Sequence, residues 1–230
     1  MERKWNDLTD EERKAFALAL FGGYHGKDLS RINSFIKRNY GNPSRVIHER
    51  MSKYVHTDIY VIQESDEQPY YTLVSLGMGT GDMYIEEDDK AYIELVLYLS
   101  HAPADKEQED FFAWLLIDLT KYPFANETAF DEGHTLEYTV LNDKQFPYDG
   151  FVFRQSRTKC GRNAAKVNLP DSETTVRFLD LIPVYKEEFD PIHQDTQGFF
   201  SWIDQEYPSH KWFVDVARSK RFSGPEKIQG

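Results

Sequence analysis

Apolar residues along this chain change period twice before Thr120. Before Met51 they recur at three- and four-residue spacing, the period of a helix face. From Asp58 to Leu99 they alternate or run continuously, as in strands, and from Asp110 to Thr120 the helical spacing returns. Thr9-Asp-Glu-Glu12 has the capping-box pattern and predicts a helix to about Phe21, stopped by Gly22-Gly23. Ser30 is placed as the cap of a second helix carrying Ile32, Phe35 and Ile36, closed by Gly41-Asn-Pro43, and Ser44–Met51 reads as a short third helix. Strands are predicted at Asp58–Ile62, Tyr70–Leu76 and Ala91–Leu99, with a turn at Ser65–Pro69 and an acidic hairpin tip at Glu86–Asp89. Phe111, Phe112, Leu115, Leu116 and Leu119 define one face of an amphipathic helix expected to lie across the sheet. An aromatic loop, Lys121-Tyr-Pro-Phe124 and then Phe130-Asp-Glu-Gly-His134, comes next. Further strands are predicted at Thr135–Leu141, Phe151–Arg154 and Thr174–Val184, and helical segments at Tyr185–Phe189 and Gly198–Glu206. Arg157–Arg162 reads as a basic, mobile loop, and the stretch from Arg218 as a frayed basic tail. This order predicts an α+β fold, a mainly antiparallel sheet with helices packed on it. The expected division is a helical preface over 1–52, an α+β domain over 53–210 and a basic tail over 211–230.

Little in this pattern points to catalysis. Gly77-Met-Gly-Thr-Gly81 follows a strand, but dinucleotide binding needs G-x-G-x-x-G opening a helix. A glycine-assisted turn or bulge is the reading adopted. Glu187 and Glu188 are adjacent, so on a helix they do not face each other. Four carboxylates at Glu86–Asp89 lack the spacing of a calcium loop, and the seven histidines never fall at metal spacing. No Gly-x-Ser-x-Gly elbow or His-Glu-x-x-His helix is present. No catalytic residue, cofactor or metal is therefore assigned. Glu94, inside the apolar strand, is either on a wet face or buried with a partner, and the wet face is preferred. Were Glu94, Asp131 and His134 to converge in a pocket, an enzyme acting on a small molecule would be the alternative.

Composition narrows the partner. With 230 residues, 40% of them hydrophobic and 15% aromatic, the chain has ample material for a core. The formal charge of −12 opposes phosphate backbones and anionic membranes and favours basic partners. The single cysteine, Cys160, closes no internal disulfide, which fits a reducing cytosol. Neighbouring cations would lower its pKa, but nothing else marks it as a nucleophile. Met-Glu-Arg-Lys-Trp leads into charged helix, so no signal peptide is predicted, and no run reaches the length of a bilayer span. A cytoplasmic protein is expected. Tyr122, Phe124 and Phe130, beside Asp131, Glu132 and His134, pair aromatics on irregular backbone with carboxylates. That is suited to a protein or peptide partner; the competing reading is that the rings close the core at the end of the Phe111–Leu119 helix.

Six pieces in order resemble the suppressor-of-fused domain family. They are His56–Ile62, Tyr71–Met78 with Met83, Ala91–Leu99, Leu119–Phe124, Gly133-His134 and Val176–Phe189. The resemblance covers roughly residues 50 to 206. It implies an α+β fold and a binding protein without catalytic residues. Animal members of the family hold a transcription factor through a short peptide, and short single-domain members resemble bacterial immunity proteins of toxin systems. The family's peptide-contact stretch corresponds here to Tyr122, Phe124, Phe130 and Asp131–His134. In this chain that loop is one residue shorter, and Gly133 stands where animal members have an acidic residue. A partner of this kind would be a protein or peptide, for example a basic toxin domain.

Overall fold

The computed structural model describes residues 23–49, 52–86, 89–138, 146–157, 164–208 and 212–224. Helix α1 (Gly26–Asn39) is followed by β1 (Arg45–Ile47), β2 (Asp58–Ile62), β3 (Tyr71–Leu76), a 3-10 turn (Met78–Thr80), β4 (Met83–Glu86), β5 (Asp89–Ala91) and β6 (Ile93–Leu99). Helix α2 (Lys106–Ala125) leads to β7 (Thr135–Glu137), β8 (Gly150–Gln155), β9 (Lys166–Asn168) and β10 (Thr175–Val184). A 3-10 turn (Lys186–Glu188), α3 (Phe189–Gln194) and α4 (Thr196–Glu206) close the order.

Among the described residues eight strands form one sheet in the order β1-β2-β3-β6-β10-β8-β7, with β9 also on β10; β4 and β5 form a separate hairpin. Every neighbouring pair is antiparallel except β6 and β10. The predicted α+β class with a mainly antiparallel sheet is therefore what forms. Both faces of the sheet are covered, which is why β3 and β6 are apolar at nearly every position instead of alternating. Phe112, Leu115, Leu116 and Leu119 of α2 pack with Leu73, Leu95, Leu97 and Phe153 on one face. Ile32 and Ile36 of α1, with Tyr40, pack with Val74, Val96 and Phe178 on the other. A third cluster gathers Val152 and Ile182 with Phe189, Ile192, Phe199, Ile203 and Trp212 at the C-terminal helices.

Five expectations are corrected. The predicted helix over Ser44–Met51 is not found in its described part, 44–49: Arg45–Ile47 is strand β1, paired antiparallel with Ile59–Val61. Its β-branched Val46 and Ile47 suit an edge strand that β2 can template. Ser30 is no cap, because α1 begins at Gly26 and the Ser30 hydroxyl bonds back to the Gly26 carbonyl at 3.2 Å. The helix entry is instead fixed by Asp28, whose carboxylate accepts from the N–H groups of Asp171 and Ser172 at 2.7 and 2.9 Å. Glu94 is fully buried, not on a wet face. Lys121–Phe124 is not loop but the last turn of α2, where Pro123 forfeits a single backbone bond. Arg218 is buried, not frayed: its guanidinium meets Glu188 at 2.5 Å, and Phe222 nearby is also buried.

The predicted helix from Thr9 to Phe21, most of the Arg157–Arg162 loop with Cys160, the centre of the acidic tip and Thr139–Leu141 lie outside the described residues.

Candidate functional site

Helix α2 starts on a good cap, with the Asp105 carboxylate accepting from the Gln108 N–H at 2.9 Å. Its exit brings Tyr122 over Phe130. Those rings stack at 5.9 Å, and Phe130 in turn stacks on Phe153 of β8 at 4.1 Å. Phe130 is 3% exposed, whereas Tyr122 is half-buried. The chain then turns through Gly133, which has φ +85° and donates its N–H to the Phe153 carbonyl at 2.8 Å. That bond ties the corner to β8 and sets up β7, the last strand in the sheet order.

A groove of about 510 Å³ opens between these elements. It is lined by Tyr122, Phe130, His134, Thr135 and Leu136, with His193 on its far wall. Thr135 Oγ1 lies 2.7 Å from His193 Nε2, joining β7 to α3, and His134 Nδ1 lies 3.3 Å from the Ala129 carbonyl.

The six residues singled out from the sequence thus divide. Tyr122 and His134 line the groove, and Phe130 lies beneath as core as well as lining. Phe124 faces elsewhere: its ring lies so close to Gly81 that a Cβ there would meet it at 2.6 Å. Asp131 is ion-paired with Arg177 at 2.7 Å. Glu132 is exposed and lines no part of the groove. Phe130 closes the core at the end of α2, while Tyr122 stays open to the groove. Sequence reasoning missed Trp114, which is 57% exposed on α2. The clue was its position off the stripe formed by Phe112, Leu115, Leu116 and Leu119.

Glu94, Asp131 and His134 do not converge. The Glu94 carboxylate accepts from Ser75 Oγ at 2.5 Å, the Gly77 and Gly79 N–H groups at 2.8 and 3.0 Å, and the Tyr24 hydroxyl at 2.7 Å. Burial pushes its pKa up, while those four donors pull it back. The same carboxylate and burial push the Tyr24 hydroxyl well above its usual range. The glycine-rich turn does aim backbone N–H groups at a carboxyl group, but that group is the chain's own Glu94. Neither Glu94 nor Asp131 lines the groove that His134 lines. Among the described residues no three His, Cys, Asp or Glu side chains group as metal ligands, and no helix is long and apolar enough to cross a membrane.

The sequence model for suppressor of fused protein (SUFU) matches residues 53–217. The chain belongs to the suppressor-of-fused family. Its fold is similar to a chain of the Sufu–Fu complex crystal structure, with TM-score 0.61 and 14% identity over 86% of this chain and 92% of that one. It is similar also to a putative suppressor-of-fused homolog from Neisseria gonorrhoeae, with TM-score 0.56 and 14% identity over 84% and 94%. Drosophila Suppressor of Fused gives TM-score 0.58 and 14% identity, and there the match spans 84% of this chain but 51% of the other. No curated protein sequence matches. The suppressor-of-fused match begins at Lys53 and ends at Ala217, so it contains the whole Tyr122–His193 groove.

Proposed function

We propose that this suppressor-of-fused domain is a non-enzymatic binding module of the cytoplasm that holds a segment of another protein in the Tyr122–His193 groove. The observation that carries this is the groove itself. It has aromatic lining at Tyr122 and Phe130, ring nitrogens at His134 and His193, and it runs beside β7 at the end of the sheet order. An extended segment laid there can use both the apolar floor and the strand edge. A likeness to a chain solved in a complex of Sufu with Fu supports a protein partner. The partner would be basic, and a toxin domain neutralised by this chain is the specific case favoured. The support is the −12 net charge, which accelerates association with a cationic surface and makes it salt-sensitive.

The test is retention of partner from native extract at low and at high salt, with Tyr122→Ala, His134→Ala and Asp131→Lys. Loss with Tyr122→Ala and His134→Ala in folded protein is expected. Retention by both variants would remove the groove from the reading. An unchanged yield at high salt would remove the basic partner.

A further inference from the structure

The chain is acidic, yet in one groove every charged lining residue is a cation. It lies between α1 and β9, measures about 290 Å³, and is lined by Arg31, Ser34, Phe35 and Arg38 on one wall and Lys166, Val167 and Asn168 on the other. The charged residues in that lining are all cations. Several cations elsewhere are matched, as in Lys121 with Glu49, Arg154 with Asp204, Arg177 with Asp131 and Arg218 with Glu188. Arg31, Arg38 and Lys166 are exposed, and their side chains have no ion pair or hydrogen bond among the described residues.

The walls are held in place. Arg31, Ser34, Phe35 and Arg38 share one stripe of α1, because residues three, four and seven apart lie on the same face. Phe35 stacks on Phe178 of β10 at 5.0 Å, which seats that stripe on the sheet. Across the groove Val167 is buried, and β9 is registered on β10 with Lys166 opposite Arg177. Arg38 alone would be explained by the C-terminal end of the helix dipole. Arg31, in the middle of the helix, and Lys166, on a strand, are not.

We propose that this groove binds an acidic segment of a protein, with Arg31 and Arg38 receiving its carboxylates. Guanidinium forks take carboxylates bidentately. The volume is at the small end for a ligand pocket, about 300 Å³ upward, so it accommodates acidic side chains presented by a chain more readily than a whole nucleotide. The −12 net charge opposes a nucleic-acid backbone, whose charge extends far beyond the groove. This site shares no residue with the Tyr122–His193 groove and stands or falls independently of it.

The test is fluorescence anisotropy of the full chain with a labelled oligoglutamate peptide, an oligoglutamine peptide of equal length and a single-stranded oligonucleotide, at low and high salt. Oligoglutamate is expected to bind in preference to both others, more weakly at high salt. Arg31→Glu and Arg38→Glu each lower its affinity by about tenfold, while Lys106→Glu on α2 leaves it unchanged. Thermal melts of the variants check that each is folded. Equal binding of oligoglutamine, tighter binding of the oligonucleotide, or affinity for oligoglutamate indifferent to Arg31→Glu and Arg38→Glu would overturn the proposal.

Discussion

Tyr24 donates its hydroxyl to Glu94 at 2.7 Å across 70 residues of sequence, joining the segment before α1 to the centre of the sheet. Both are buried, and Glu94 also receives Ser75, Gly77 and Gly79. A carboxylate in this position is costly unless all its donors are present. Glu94→Ala strands four donors and is expected to destabilise the fold by about 3 kcal/mol or more. Tyr24→Phe removes one donor and costs about 1 kcal/mol. The pH dependence has a definite sign. Burial raises the folded pKa of Glu94 above 4.5, so its contribution is full below that value and fades as pH rises through the raised one. The urea midpoint of the native chain minus that of Glu94→Gln should therefore fall as pH is raised from about 4 to about 8. A difference that grows with pH would contradict the assignment.

Gly77 is the residue that lets the turn reach Glu94. It has φ +124°, and a Cβ there would lie 2.2 Å from the His56 carbonyl oxygen. Backbone of this kind is nearly exclusive to glycine, and the steric contact is with main chain that cannot swing away. Gly77→Ala is expected to cost about 3 kcal/mol or more, read as a lowered melting temperature. A melt within a few degrees of the native chain would show that the turn is not held in this form.

The sequence shows most clearly what short-range pattern controls. Ile93–Leu99 is apolar at every position but Glu94 because both faces of β6 are covered, and that combination is visible in the residues alone. Arg45–Ile47 is not legible in this way: three residues carry too little period, and their state is decided by β2, which pairs with them. Glu94 reads identically in sequence whether wet or buried, since its donors are Tyr24 and a glycine turn brought together only by folding. Arg218 sits in a run of basic and small residues that suggests a loose end, yet Glu188, 30 residues earlier, draws it inside. In the candidate site, Tyr122, Phe130 and His134 were visible as an aromatic cluster beside a histidine. Their division into wall and floor was not, because it depends on Phe153 stacking beneath.

The Arg218–Glu188 pair gives a third prediction. The guanidinium side chain is 1% exposed, sits among the rings of Tyr148, Tyr185, Trp202 and Tyr207 at 5.3–5.8 Å, and donates to the Pro183 carbonyl at 3.0 Å. Glu188 also accepts from the Tyr185 and Phe222 N–H groups. Breaking a buried pair leaves a charge uncompensated, so Arg218→Ala and Glu188→Ala are each expected to cost about 3–5 kcal/mol. The double variant should cost less than the sum. Arg218→Lys keeps the charge but loses the fork and the planar stacking, and should recover only part of the loss. Additive single effects in denaturant titrations would show that the two side chains do not act as a unit.

Tyr122 and Phe130 are stacked neighbours with different expected fates. Phe130 is buried against Phe153, so Phe130→Ala opens a cavity and is expected to cost about 3–5 kcal/mol. Phe130→Leu, which keeps most of the volume, should cost less. Tyr122 is half-buried, has no described hydrogen bond from its hydroxyl, and forms groove wall more than core. Tyr122→Ala should therefore lower the denaturant midpoint by less than half as much as Phe130→Ala while removing more of the bound partner. Equal stability losses for the two would place Tyr122 in the core and leave the groove without its aromatic wall. A larger loss of partner with Phe130→Leu than with Tyr122→Ala would put the contact on the floor of the groove instead of its rim.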